Sequence, residues 1–496
     1  MSAHLQSDPP RTLEEAIGII DELRSENGEL RFAQQQLQDR FDDLQVQVQQ
    51  LLDQISKNSG NSSKSPSSDS IAQKAARKRR KPPSRKNKGA QPGHPKHERA
   101  QLPESEVDET RRYFPSISCG CGAKLKFELK PSCRHQVFDL PVVRYTVTEH
   151  QLFSGQCECC GKRAIAELPQ GVPSGQMGPG LVAWIALMAG DYRMSVRQIQ
   201  RLLREQWNLG FSNGAISEAQ GLANRALLAP YCAIGEHVRA QAVAHADETR
   251  HPRGGDRDHA GTWWLWALVS VSATFMGVHF SRGKQAAAEL LGDFGGYLVT
   301  DDYAGYNGVP AHRRQLCWSH LIRHFVAISE RRGRGGEIGR RLLLLARMVI
   351  RTRHRVDDGR LDDVRYRRRM HRLRRSVRAV LQKGAQQEID GKTRRQCAHL
   401  LKREAMLWTF MADRRIPLEN NRAERALRPY VIWRKLSFAS HSRRGDGFRA
   451  MSLSVSETAR QNGVPIYQFL RTICREALTS DGVTSRLPLG TPRLLS

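Results

Sequence analysis

Residues Trp263 to Phe280, WWLWALVSVSATFMGVHF, contain no Asp, Glu, Lys or Arg in a chain where 26% of residues are charged. A charge-free stretch of this length could pass for a short membrane span. Its β-branched and aromatic residues, broken by serines, instead predict two buried strands. The flanking sequence extends the pattern. VAHADET places Asp247 at the end of a preceding strand, KQAAAELLGDF reads as a helix, and GYLVTDDYAGYN ends another apolar strand at Asp301. The β-β-β-α-β order predicts an α/β sheet whose strand ends project acidic residues into one site. A ribonuclease-H-like fold satisfies that order.

Much further along, LENNRAERALRP places Glu424 one turn into a helix. Asn420 or Asn421 is the expected cap, and the free N–H groups of that turn favour an anion. Ala423, Ala426 and Leu427 offer a small apolar face for packing on the sheet, and Pro429 is expected to end or kink the helix soon after. Three carboxylates without a nucleophilic Ser, Cys or His suit in-line phosphodiester chemistry. One metal ion lowers the pKa of the attacking water and a second stabilises the leaving oxygen. Hard cations such as Mg²⁺ take oxygen ligands. The same pair of ions, Mg²⁺ or Mn²⁺, can activate a 3′-hydroxyl in place of water, so cutting and joining can share one site. A single Asp at a strand end is more often a turn residue, so spacing alone leaves these assignments open.

The first half of the chain reads as a series of modules. From Leu23 a heptad seam runs through Leu30, Leu37, Leu44 and Leu51 at d, with Asn27, Gln34, Phe41, Val48 and Ile55 at a. It predicts a parallel coiled-coil dimer over 1–58, the alternative being one amphipathic helix packed on its own chain. Residues 59–100 form a Ser- and Gly-rich, then basic, linker. Within it KAARKRRKPPSRKNK concentrates nine Lys and Arg, including Arg77, Lys78, Arg79, Arg80 and Lys81, which can track DNA phosphates without reading sequence. Over 101–168, Cys119 and Cys121 precede strand-like VFDLPVVRYTVTEHQLF, and Cys157 and Cys160 follow. This suggests a zinc ribbon, although the first knuckle is Cys-x-Cys, so a metal-free remnant of the same fold is the alternative. In residues 169–232 the apolar run LVAWIALMA and the segment after it read as successive helices, two of them separated by WNLG, with Ser195 capping the first of that pair and Ser212 or Asn213 the second. They form either a helix-turn-helix or an ordinary helical hairpin.

Lys and Arg total 79 against 50 Asp and Glu, a net charge of +29, which points to nucleic acid as partner. The N-terminus lacks a basic segment followed by an apolar core, so no secretory leader is expected and the chain is placed in the cytoplasm with the nucleoid, away from membranes. The 10 cysteines then serve as ligands or core residues rather than disulfides.

HADET, DDYAGYN, CWSHLIRHF and ENNRAERALRP, in that order, resemble the transposases of the insertion sequence 66 family. KNSGNSSKSPSSD with GAQPGHPKHER, and the paired cysteines, are similar to that family's N-terminal part and zinc-binding segment. The resemblance implies a multidomain protein with a ribonuclease-H-like core and carries the catalytic, metal-binding acids onto Asp247, Asp301 and Glu424. It selects Asp301 over Asp302, and sets Glu248 and Glu419 aside. It also implies binding to terminal inverted repeats and transfer of freed 3′ ends to target duplex DNA, with helper proteins from the same element as further partners. The core is expected over 233–325 and 416–446, interrupted by a basic all-α insertion over 326–415 and followed by a C-terminal element over 447–496. Arg428 and Lys435 are candidate phosphate contacts, as are Arg425 and Arg434, although Arg428 could instead pair with Glu424. Tyr303 and Tyr306 are expected to pack, and His320 and Arg323 to contact DNA or support the acids. Two other functions remain open on residues alone: a DNA-binding regulator without catalysis, and a nuclease that cuts without joining.

Overall fold

A computed structural model describes residues 12–56, 70, 100–114, 121–124, 126, 130–140, 145–254, 262–479 and 482–490. Two compact units divide the chain, one of Met1–Pro82 with Leu321–Lys402, the other of Pro83–His320 with Arg403–Ser496.

In the second unit the charge-free run forms two strands, as its composition predicts. With β1 (Ser154–Gln156) and β2 (Arg163–Ile165) forming a separate hairpin, the main sheet contains β3 (Val243–His251), β4 (Trp263–Val269), β5 (Thr274–His279), β6 (Tyr297–Thr300) and β7 (Arg314–Leu316). Its order is β5-β4-β3-β6-β7. The hairpin-linked side, β5-β4-β3, is antiparallel, whereas β6 and β7 run parallel to β3. A helix over Lys284–Leu291 makes the crossover from β5 to β6. β7 was not anticipated, because RQL is too short to show a period and its Arg314 is fully buried.

The two sheet faces are covered differently. Glu248 pairs with Trp266 across β3 and β4, and both meet Tyr306 from the short 3₁₀ segment Ala304–Gly308. Alternation puts His245, Asp247 and His251 on the other face. There the helix Asn421–Leu436 buries Ala423, Ala426, Leu427, Tyr430 and Trp433, including the small apolar face read from the sequence. Pro429 does not end this helix. Buried side chains on both sides of the proline hold the helix to the sheet, which compensates for the backbone hydrogen bond that proline cannot make.

The C-terminal helix Arg443–Gln461 treats β5 as an edge to be closed. Backbone N–H groups of Thr274 and Met276 donate to Thr458 Oγ1 (3.0 Å) and Ser454 Oγ (2.9 Å) of that helix. Hydroxyls thus satisfy an edge that would otherwise be open to strand addition. Behind it lie the helices Pro179–Gly190, Val196–Trp207, Asn213–Arg239 and Ile466–Thr479. Ser195 and Gln198 make a capping box, and Ser212 caps the next helix, as the sequence suggests. That helix extends to Arg239, beyond the expected end near Arg225. It buries Ile216, Ala223, Leu227, Ile234 and Val238, so it is a packing helix of the core.

The first unit contains the helix Leu13–Ser56, with Leu23, Leu30, Leu37 and Leu44 of the seam more than half exposed. It also contains the helices Gly333–Asp357, Asp363–Gly384 and Gly391–Lys402. In Asp363–Gly384 the buried stripe Tyr366, Met370, Leu373, Val377 and Leu381 leaves Arg365, Arg367, Arg368, Arg369, Arg372, Arg375 and Arg378 exposed.

Among the described residues no helix is long and apolar enough to cross a membrane. The strands expected between the cysteine pairs are not formed among the described residues there. β1 and β2 instead flank the second pair, because the tight turn at Cys157–Lys162 supplies their pairing.

Candidate active site

Parallel pairing aligns Val243 with Tyr297, Ala244 with Leu298 and His245 with Val299. Asp247 lies two residues beyond the last of these pairs within β3, and Asp301 directly follows the end of β6, so the parallel pairing brings both acids to the same end of the sheet. Glu424 lies in the first turn of the helix Asn421–Leu436. Burial raises the pKa of Asp247 well above the ordinary carboxylate value, and the negative charges of Glu248, Asp301 and Glu424 raise it further. The three acids selected by the resemblance therefore share one electrostatic neighbourhood. His320 Nε2 lies 3.8 Å from Glu424 Oε1, placing His320 beside the third acid.

Asp301 is held by a turn in which its Oδ1 accepts the Tyr303 N–H at 3.0 Å. Buried Arg314 donates to the carbonyls of Asp301 (3.0 Å) and Tyr303 (2.8 Å), and to Thr300 Oγ1 (3.0 Å). Burial pushes the Arg314 pKa down to about 10. Sequence reading missed this buttress, because a buried arginine 13 residues beyond the acid carries no local pattern.

The neighbouring acids have other partners. Asp302 forms an ion pair with Arg403 Nη1 at 2.6 Å. Glu248 accepts from Arg282 Nη2 (2.7 Å) and from the Tyr306 hydroxyl (2.6 Å) on the opposite face. Tyr306 thus does more than pack. Arg282 also lies over the Tyr303 ring at 4.0 Å. Glu419 accepts from the Asn421 side chain.

Asn420 occupies the N-cap position of the Glu424 helix, but its side chain makes no capping bond. Its amide instead donates to the Ala246 carbonyl at 2.8 Å, one residue before Asp247. Among the candidate phosphate contacts, Arg425, Arg428 and Lys435 are exposed along one side of this helix. Arg434 instead donates to Thr249 Oγ1 and the Arg250 carbonyl, both at 2.9 Å, so it fastens the helix to β3. Arg77, Lys78, Arg79, Arg80, Lys81 and Cys119 lie outside the described residues. Cys121, Cys157 and Cys160 are exposed. Backbone N–H groups of Cys160 and Cys159 lower the Cys157 pKa, which favours a thiolate in the second knuckle.

Fit to a metal can be judged from the donors. Asp247 with Asp301 and Glu424 near it would supply carboxylate oxygens of the kind that Mg²⁺ or Mn²⁺ takes. Among the described residues, no three His, Cys, Asp or Glu side chains already close on one point.

A mixed α/β sheet with acids gathered near one end, in a strongly basic chain, is compatible with a nucleic-acid-processing protein. The chain belongs to the insertion sequence 66 transposase family: the profile described as "Transposase IS66 family" matches residues 174–447, more than half of the chain. Residues 7–100 match a family of unknown function, DUF6444. The chain is similar to two proteins of Sinorhizobium fredii (strain NBRC 101917 / NGR234), both described as uncharacterized. It is 26% identical to y4hP over 398 residues, covering 71% of this chain and 68% of y4hP. It is also 26% identical to y4qI over 309 residues, covering 56% of this chain and 54% of y4qI, about half of that relative's length.

Proposed function

We propose that this transposase cuts DNA at the ends of an insertion sequence and joins the freed 3′ ends to target DNA, with Asp247, Asp301 and Glu424 as the metal-binding acids of a ribonuclease-H-like core. The observation that carries this reading is that Asp247 on β3 and Asp301 just after the parallel strand β6 lie at one end of the sheet, with Asp301 and Glu424 both near enough to raise the pKa of Asp247, and Glu424 on a helix fixed to β3. The mixed strand order supports the fold assignment.

When bound, two Mg²⁺ or Mn²⁺ ions lower the pKa of the attacking water or 3′-hydroxyl and stabilise the leaving oxygen. Burial and the neighbouring acids raise the pKa of Asp247, and cations held beside it would favour its carboxylate form. The Asp301 turn, braced by Arg314, keeps its carboxylate at the strand end. Arg425, Arg428 and Lys435 hold backbone phosphates along the helix that carries Glu424. Exposed arginines of the helical unit and the basic segment around Arg77–Lys81 add contacts that do not depend on sequence. The seam of the N-terminal helix pairs two copies of the chain. Cys119, Cys121, Cys157 and Cys160 hold one structural Zn²⁺.

The decisive test incubates purified full-length protein with Mg²⁺ and a duplex bearing the element's end. Nicked and joined products are expected, and both should vanish for Asp247→Ala, Asp301→Ala and Glu424→Ala while end binding persists. Cleavage unaffected by these changes would defeat the assignment. Cutting without joined products would mark a nuclease, and binding alone a regulator.

A further inference from the structure

Helix-forming preference gives a helix its shape but not its place against a strand. Cross-links between the two must decide where Glu424 lies relative to Asp247. Asn420 is fully buried, and its polar groups reach three elements. Its Nδ2 donates to the Ala246 carbonyl of β3 at 2.8 Å, and its backbone N–H donates to Cys317 Sγ at 3.2 Å. Because Nδ2 faces that carbonyl, Oδ1 is left to accept the Nδ1–H of buried His245 at 3.1 Å. Cys317 directly follows β7, which pairs with β6, the strand that ends before Asp301. The Asn420 carbonyl in turn accepts the N–H of Glu424 at 3.3 Å.

A second fastening lies further along. The Tyr430 hydroxyl meets His251 Nδ1, and His251 Nε2 lies 2.7 Å from Asp446 Oδ1 of the next helix. From Asn420 to Tyr430 the helix rises about 15 Å. From Ala246 to His251 the strand covers about 17 Å. The two spans match, so helix and strand are fixed at both ends, with Asp247 and Glu424 nearer the Asn420 end.

We propose that Asn420 is a positioning residue: by joining the Glu424 helix to the backbone beside Asp247, it sets the spacing of the carboxylates and so the affinity of the site for divalent cations. Fully buried, it acts through the helix and strand it joins. The inference rests on the reading of Asp247, Asp301 and Glu424 as metal-binding acids.

The test uses the full-length chain and Mn²⁺, with free ion followed by electron paramagnetic resonance, alongside end binding by gel shift and single-turnover cleavage across a range of Mn²⁺ concentrations. Asn420→Ala is expected to weaken Mn²⁺ binding by about 10- to 100-fold, as loss of a ligand-orienting partner does. Its cleavage should recover toward the wild-type rate at high Mn²⁺, with end binding unchanged. If Asn420→Ala does not fold, the pair His245→Leu and His245→Asn replaces it. The first removes the donor to Asn420 and should weaken Mn²⁺ binding, while the second restores a donor near the Nδ1 position and should rescue it. A folded Asn420→Ala with wild-type Mn²⁺ affinity, or a His245 pair with equal affinities, overturns the inference. Asp247→Asn separates the two levels. If it too binds Mn²⁺ as the wild type does, the metal reading falls and this inference with it. If it loses Mn²⁺ while Asn420→Ala retains it, only the role of Asn420 is refuted.

Discussion

A half-buried aspartate surrounded by like charges holds its proton more tightly in the folded chain than in the unfolded one. For Asp247 the causes are burial first, then Glu248, Asp301 and Glu424. Over the interval between the ordinary carboxylate pKa and the raised folded value, the native state binds more protons, so stability falls as pH rises. Metal-free wild-type protein should therefore lose melting temperature across that interval, and Asp247→Asn should flatten the loss and melt higher at pH 7. Mg²⁺ should raise the melting temperature of the wild type and leave Asp247→Asn nearly unmoved. Differential scanning fluorimetry across pH, with and without Mg²⁺, checks both. His245 acts in the opposite sense on the acid side. Burial lowers its pKa from 6.5 to about 4, so its neutral form favours folding until pH drops below 6.5, and that stability is lost as pH falls toward 4. Comparing Asp247→Asn with wild type isolates the aspartate. Glu248, almost fully buried, should matter for stability rather than for metal. Its replacement by Ala leaves Tyr306 and partly exposed Arg282 without their carboxylate and should cost about 1–3 kcal/mol in urea unfolding.

At the scale of elements, glycines set how closely the helical unit packs. A Cβ on Gly339 would lie 2.2 Å from the Ser329 backbone nitrogen and 2.5 Å from its Cα, and backbone cannot yield as a flexible side chain does. Gly339→Ala should destabilise this unit by about 1–3 kcal/mol despite the better helix propensity of alanine, as thermal unfolding would show. The hydroxyls of Ser454 and Thr458 make a comparable point for the sheet. They explain why a helix buried against β5 keeps the pattern SLSVSET where a core helix would be expected to carry Leu and Ile. The cysteine hairpin makes a separate prediction. Purified chain should carry about one zinc, lost in Cys157→Ser with Cys160→Ser, as metal analysis by mass spectrometry would report.

For the whole molecule, a surplus of +29 must be set against DNA. If 6–10 phosphates are neutralised, affinity for any duplex should fall about 10³–10⁵-fold between 50 and 200 mM salt. Neutralising Arg77, Lys78, Arg79, Arg80 and Lys81 together should flatten the logarithmic salt slope by up to about 4.5, measured by fluorescence anisotropy. Much of the architecture behind this was legible in the linear chain, because periodicity and exclusion of charge act locally. They revealed the two strands of Trp263–Phe280, the caps at Ser195 and Ser212, and the apolar face of the Glu424 helix. The motifs also determined the transposase family. Tertiary structure alone decided the rest. β7 has too few residues to show a period, Pro429 is held in its helix by contacts made elsewhere, and Asn420 turned from cap to cross-link because a carbonyl 174 residues away in sequence became its nearest acceptor. Local preferences specify elements. Which buried donor meets which buried acceptor is settled only when the elements pack, as the Asn420 side chain and the Ala246 carbonyl show.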